Sequence, residues 1–193
     1  VLPIDIRLAA HTHGLSFRPR AYSHVGSVPC LDLADRPLGD ADRLVKSVFD
    51  RVVATLALIL LSPVMALVAL AVKLDSPGPV FFRQKRHGFN NELVDVWKFR
   101  SMRTDMTDHT ASRLVTKGDA RVTKVGRIIR KTSLDELPQL FNVLNGTLSL
   151  VGPRPHALGS TAEDESFWAI DDRYWDRHGI KPGMTGEAQI RGF

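Results

Sequence analysis

The chain has 193 residues, 44% of them hydrophobic and 24% charged, enough to bury one compact core with a fragment of a second domain and too apolar for a disordered chain. Its 26 Lys and Arg against 21 Asp and Glu give a net charge of +5, which suits phosphates, nucleic acid or an acidic lipid surface without choosing among them. The single cysteine, Cys30, excludes an internal disulfide framework and a multi-cysteine zinc site, in keeping with a reducing cytoplasm.

Residues 1 to about 40 combine an apolar segment, Val1 to Leu8, with a polar stretch and a second apolar patch at Val25 to Leu33, and Pro and Gly occur throughout. This reads as the tail of an α/β domain. His11, His13 and His24 have no spaced carboxylate or thiol cluster beside them and read as solvent-facing loop residues rather than metal ligands. The chain opens at Val1 with neither Met nor a charged leader and stops at Phe193 after a turn-rich stretch, so a piece of a longer protein is expected.

From Val52 to Val72 no residue is charged. A helix of about 20 apolar residues is long enough to cross a bilayer. At the centre of the run stand Ser62 and Pro63, and proline removes a backbone donor and crowds the preceding turn, so a bend is predicted. Lys46 and Arg51 precede the run, and Lys73, Arg83, Lys85 and Arg86 follow it. Because positive residues favour the cytoplasmic side and stand at both ends, a helix-break-helix hairpin returning to its own side is the favoured topology. A buried core helix and an ordinary kinked span are the alternatives. The carbonyls freed by Pro63 need partners, and the Ser62 hydroxyl can supply one.

A turn cluster, Asp75 to Pro79, follows, then two strand-like runs, Val80 to Arg86 and Glu92 to Phe99, around a polar turn at Gly88 to Asn91. A basic hairpin beside the lipid surface is therefore expected. The chain from Ser101 to Gly118 is polar and irregular or weakly helical, and it becomes regular again at Arg121 to Arg130.

The chemistry concentrates downstream. Ser133 and Glu136 have the spacing of a capping box, followed by the helical pattern Leu137, Leu140, Phe141 and Leu144, which would place Asp135 and Glu136 in a first helical turn. Carboxylates there are stabilised by the helix dipole alone. The same two groups beside Arg130 and Lys131 can also hold a divalent cation while one attacks phosphorus, with the helix terminus keeping the Asp ionised. In Ser149 to Pro155, Gly152 and two prolines fix a turn around Arg154, which is either a bidentate phosphate ligand or a solvated loop arginine. Lys98, Arg100 and Arg103 form a strip for phosphate or headgroups, or a wet strand face.

Taken together these motifs resemble one family, the bacterial polyprenyl-phosphate sugar-phosphate transferases, or monotopic phosphoglycosyl transferases, which initiate exopolysaccharide, capsule and O-antigen synthesis. The resemblance runs from Lys46 to Gly192 and rests on seven ordered segments. They are K-x-x-x-D-R (Lys46 to Arg51), the Ser62-Pro63 break, S-P-G-P-V-F-F-R-Q-x-R-x-G (Ser76 to Gly88), K-F-R-S-M (Lys98 to Met102), R-K-T-S-L-D-E-L-P-Q (Arg130 to Gln139), S-L-V-G-P-R-P (Ser149 to Pro155) and K-P-G-M-T-G (Lys181 to Gly186).

The resemblance implies an α+β fold: a mainly helical catalytic domain over 43–193 with a re-entrant membrane helix at about 48–73 and a small β-hairpin, preceded over 1–42 by the tail of a nucleotide- or CoA-binding-like α/β domain and truncated at its C-terminus. It implies transfer of hexose-1-phosphate, glucose or galactose, from a UDP-hexose to undecaprenyl phosphate at the cytoplasmic face of the bacterial inner membrane, with release of UMP. Asp135 would be the nucleophile and form an aspartyl-phosphosugar, Glu136 with Asp135 would bind Mg²⁺, and Lys98, Arg100, Arg130 and Arg154 would bind phosphates or organise the acidic pair. Membrane lipid and a second copy of the chain are the further partners, and nucleic acid is not, since no nucleic-acid motif accompanies the charge. A non-catalytic, lipid-bound adaptor is the competing class. Glu187 and Arg191 depart from the residues common at their positions in the family, and both bear on which sugar is used.

Overall fold

The computed structural model describes residues 6–9, 21–25, 28–34, 38–104, 119–156, 161–162, 165–166 and 178–191, with side chains in 38–104, 119–156 and 178–191. The fold is mixed, one long apolar helix with shorter helices and small sheets, which agrees with an α+β class. Strands β1 (Ile6–Ala9), β2 (Ala21–Val25) and β3 (Val28–Ala34) make an antiparallel sheet of order β1-β3-β2. The side chains of His11, His13 and His24 lie outside the described residues.

Helix α1 spans Asp40–Asp75, with Asp40 and Asp42 in its first turn and Lys73 in its last, the polarity that complements a helix dipole. The hydrogen-bonded helix is continuous through Pro63, so the proline does not end the element. The carbonyl that Pro63 leaves without its usual donor is that of Ile59, four residues back, and the Ser62 hydroxyl donates to it at 2.9 Å.

Among the described residues, one side of α1 meets protein and the rest does not. Ala54 packs with Val96, Leu140, Val143 and Leu148, and further along Met65, Val68 and Val72 pack with Phe99 and Ile129. Only 17% of its most apolar window is buried, and Leu56, Ile59, Leu60 and Leu67 are each more than half exposed. A helix left that apolar on its outer faces needs lipid or another apolar surface against them.

Strands β4 (Phe81–His87) and β5 (Leu93–Phe99) form the expected antiparallel hairpin, in register from Phe81 opposite Phe99 to His87 opposite Leu93. Its turn places Asn90 and Asn91 at φ 54° and 61°, a conformation asparagine tolerates better than most residues. Helix α2 (Lys124–Lys131) starts where the Thr123 hydroxyl accepts from Gly126 N at 2.9 Å. Helix α3 (Gln139–Asn145) ends at Gly146, whose φ of 82° suits glycine.

Beyond α3, β6 (Ser149–Val151) pairs in parallel with β9 (Gly183–Thr185), and a short helix, α4 (Glu187–Arg191), follows. Between them in sequence come the two-residue strands β7 (Thr161–Ala162) and β8 (Glu165–Ser166), paired with each other. Gly152 and Gly183 approach so closely that a Cβ on either would collide with the other segment's backbone, which brings the S-L-V-G-P-R-P and K-P-G-M-T-G segments together. Glu187 and Arg191 pair with each other at 2.6 Å on the exposed face of α4.

Candidate active site

The acidic pair stands in a first helical turn, that of a 3-10 segment, but the capping box expected at Ser133 does not form. Ser133 has φ 56° and forms no side-chain cap, because it closes α2 in the left-handed region and cannot also adopt the extended backbone of an N-cap. Leu134–Glu136 form a 3-10 turn instead, and α3 starts only after Pro138. The Glu136 carboxylate therefore does not reach back to Ser133; it accepts from Lys98 Nζ at 2.6 Å.

Lys98 comes from β5, whose place is fixed by Asn142 of α3. The Asn142 side chain accepts from Trp97 N at 3.0 Å and donates to Asp95 O at 2.8 Å, completing the strand edge next to Lys98. Asp135 is buried, 9% exposed. Burial pushes its carboxyl above the ordinary range; Lys98 and Arg130 and a backbone N–H pull it down, and the Glu136 charge pushes it up. The net direction is upward: the nearby cations favour the charged form and burial outweighs them, so burial and not a helix terminus dominates at this carboxyl.

Beside the Lys98–Glu136 pair opens a cleft whose lining includes Arg86, Arg154, Gln139, Gly183, Met184 and Gln189. Arg86 donates to Gln84 Oε1 at 2.6 and 3.2 Å and to Pro155 O at 2.7 Å, locking the hairpin to the P-R-P turn. Its guanidinium is pushed below its usual value by burial and then by Arg154, with Glu136 acting oppositely, so these three charges face one another. Two arginines, a lysine and the Glu136 carboxylate on one cleft, with Asp135 buried beside it, make a site for a phosphorylated anion.

Of the residues the sequence singled out, Lys98, Glu136 and Arg154 meet at this cleft. Asp135 is buried beside it, and Arg130, at the exposed end of α2, reaches it only through Asp135's electrostatics. Arg100 is elsewhere. It is 3% exposed and donates to Pro77 O at 2.8 Å, to Ser76 O at 2.6 Å, to Ser76 Oγ at 3.1 Å and to Val72 O at 3.2 Å, so it caps the C-terminus of α1 and does not line the cleft. Ser62 and Pro63 stay on α1. Arg86, Gln84 and Gln189 were not singled out. Gln84 and Arg86 stand two apart on a strand and so share a face, a signal the motif contained. Gln189 gave no such signal; its Oε1 is buried with no hydrogen-bond partner among the described residues.

Among the described residues no three His, Cys, Asp or Glu side chains are grouped to hold a metal ion. The adjacent carboxylates Asp135 and Glu136 remain, a donor set that fits Mg²⁺, which is often held by one or two carboxylates with substrate phosphate and water completing its shell.

The sequence profile of the bacterial sugar transferase family matches residues 41–193, and the chain belongs to that family. It is 51% identical over 169 residues to the UDP-glucose:undecaprenyl-phosphate glucose-1-phosphate transferase of Escherichia coli K12, covering 88% of this chain and 36% of that protein. It is 53% identical over 160 residues to the undecaprenyl-phosphate glucose phosphotransferase of Komagataeibacter xylinus, covering 83% and 30%. It is also 48% identical to an exopolysaccharide production protein of Rhizobium leguminosarum, covering 79% of this chain and 76% of that one. The chain thus spans about a third of the length of the first two relatives.

Proposed function

We propose that the chain transfers hexose-1-phosphate, glucose or galactose, from a UDP-sugar to undecaprenyl phosphate with release of UMP, the first membrane step in making a bacterial surface polysaccharide. The observation that carries this reading is the buried Asp135 next to the Lys98–Glu136 pair on a cleft that also holds Arg86 and Arg154. The relatives named for glucose-1-phosphate transfer to undecaprenyl phosphate support it.

In this mechanism the ionised Asp135 attacks the sugar-bearing β-phosphorus, the bond from that phosphorus to the bridging oxygen breaks, and UMP leaves with the electron pair. An oxygen of undecaprenyl phosphate then attacks the same phosphorus, freeing Asp135 and leaving the hexose on a lipid-linked diphosphate. Lys98 holds Glu136 and favours the charged Asp135. Arg86 and Arg154 bind the diphosphate oxygens. Asp135 and Glu136 would hold Mg²⁺, whose charge offsets the repulsion between carboxylate and diphosphate.

Helix α1 would lie in the cytoplasmic leaflet of the inner membrane as a re-entrant element bent at Ser62-Pro63, and β1–β3 would be the end of an upstream α/β domain. In a Cys30→Ser background, cysteines at Lys46 and Lys73 would then label from one membrane face, and labelling from opposite faces would sink the hairpin. The reaction is tested by UMP release in nanodiscs with Mg²⁺, undecaprenyl phosphate and a panel of UDP-sugars. Release with one UDP-hexose, lost in Asp135→Asn, supports the reading; silence across the panel from folded protein overturns it.

A further inference from the structure

Two motifs at opposite ends of the matched region, Lys46 to Arg51 and Lys181 to Gly186, put none of their basic residues on the cleft, yet they meet. Asp50 joins them. It is 5% exposed and accepts from Ser149 Oγ at 2.7 Å, from Leu150 N at 3.4 Å and from Lys46 Nζ at 3.4 Å. Ser149 N in turn donates to Pro182 O at 2.8 Å, which seats Lys181 against α1.

Above this junction two cations converge. A Cβ placed on Gly146 would lie 3.4 Å from Arg51 Nη2 and 3.5 Å from Lys181 Nζ, so both nitrogens close on one point. Arg51 Nη1 donates to Ser47 Oγ at 2.7 Å, but Nη2 and the Lys181 ammonium have no acceptor among the described residues. Asp50, the acid at hand, is already shared among Lys46, Ser149 and Leu150. Burial, then the Arg51 charge, pushes the Lys181 ammonium below its ordinary value, and Asp50 offsets this only in part. At the C-terminus of α3 the Asn142 and Val143 carbonyls are taken by the N–H groups of Gly146, Thr147 and Leu148, and no hydrogen bond among the described residues joins either cation to that helix end. Like charges drawn together with no acid of their own mark the place of an anion.

Where that anion comes from follows from α1. Arg51 is exposed between Phe49 and Val52, both more than half exposed and apolar, at the edge of the lipid-length run. We propose that Arg51 and Lys181, with Lys46 behind them, form a phosphate-binding site at the water–lipid boundary, separate from the cleft, that takes the phosphate of an anionic phospholipid headgroup. One non-bridging oxygen accepts from Arg51 Nη2 and the other from Lys181. Since Gly183 and Met184, just beyond Lys181, line the cleft, a lipid held there fixes one cleft wall to the bilayer surface. This rests on α1 lying in lipid and not on the transfer reaction.

The test uses amine acetylation by an uncharged reagent on the full chain in nanodiscs, read by mass spectrometry as the rate at Lys181 relative to Lys73. In phosphatidylglycerol discs Lys181 is expected to react about fivefold more slowly than in phosphatidylcholine discs, the protection two headgroup contacts would give. Arg51→Gln should remove that protection and Arg51→Lys should keep most of it. Equal Lys181 rates in the two lipids, an effect indifferent to Arg51→Gln, or equal protection by inorganic phosphate in phosphatidylcholine discs would each overturn the proposal, the last by showing a site for soluble phosphate.

Discussion

Asn142 completes the hydrogen bonding of Trp97: its side-chain oxygen, on α3, accepts from the Trp97 backbone N–H at 3.0 Å while its amide donates to Asp95 O at 2.8 Å. The pair sets the distance between β5, which carries Lys98, and the segment that carries Glu136. Asn142 is 1% exposed, so an apolar replacement leaves a strand N–H and a carbonyl unpaired in the core. Asn142→Leu is therefore expected to destabilise the chain by about 3 kcal/mol, lowering the thermal midpoint by roughly 10 °C at this size. A midpoint within about a degree of wild type would mean that the strand edge is held by other contacts.

Lys98 acts on both carboxylates, by a 2.6 Å contact to Glu136 and by pulling down the raised Asp135 carboxyl. Lys98→Met removes both effects. Transfer should fall by about 100-fold or more, as for loss of a preorganised charge at a phosphoryl site. The acid limb of the pH–rate profile should also move to higher pH, since Asp135 without Lys98 holds its proton longer. A slower enzyme with an unmoved limb would separate Lys98 from the ionisation of Asp135.

Arg100 makes the opposite prediction. Its guanidinium holds the carbonyls of Val72, Ser76 and Pro77 at the end of α1, away from the cleft. Arg100→Met should cost about 3 kcal/mol by leaving buried carbonyls without donors, while KM for the UDP-sugar in the folded fraction stays unchanged. A raised KM with normal stability would return Arg100 to the substrate.

What the sequence made legible follows a physical division. The hairpin, the turn cluster read at Asp75 to Pro79 and the Ser62 hydroxyl under Pro63 are local matters, set by residues within a few positions of each other, and each stands within a residue of where the pattern puts it, Asp75 closing α1 instead of opening the turn. Lys98, Glu136 and Arg154 were legible through their motifs. Arg100 was not, because a buried arginine capping a helix end 24 residues earlier is written identically in sequence to one facing a phosphate. The capping box failed for a related reason: Ser133 is needed by the helix it ends, and only the fold shows that a proline delays the next one. Arg86 and Gln189 reach the cleft through contacts between distant segments, which no single motif records.

The burial of Asp135 yields a prediction that separates a structural carboxylate from a catalytic one. A carboxyl whose pKa is higher folded than unfolded binds more protons in the folded state, so its contribution to stability falls as pH rises from the unfolded value, about 3.9, through the folded one. At pH 7 the ionised Asp135 is a cost to the fold that Asn does not carry. Asp135→Asn should therefore raise the thermal midpoint in nanodiscs at pH 7, the gain should shrink as pH falls through the raised Asp135 value, and transfer should drop by at least about 10³-fold. A carboxylate kept only to stabilise its turn would give the reverse, a lower midpoint with activity lost merely in proportion to folded protein.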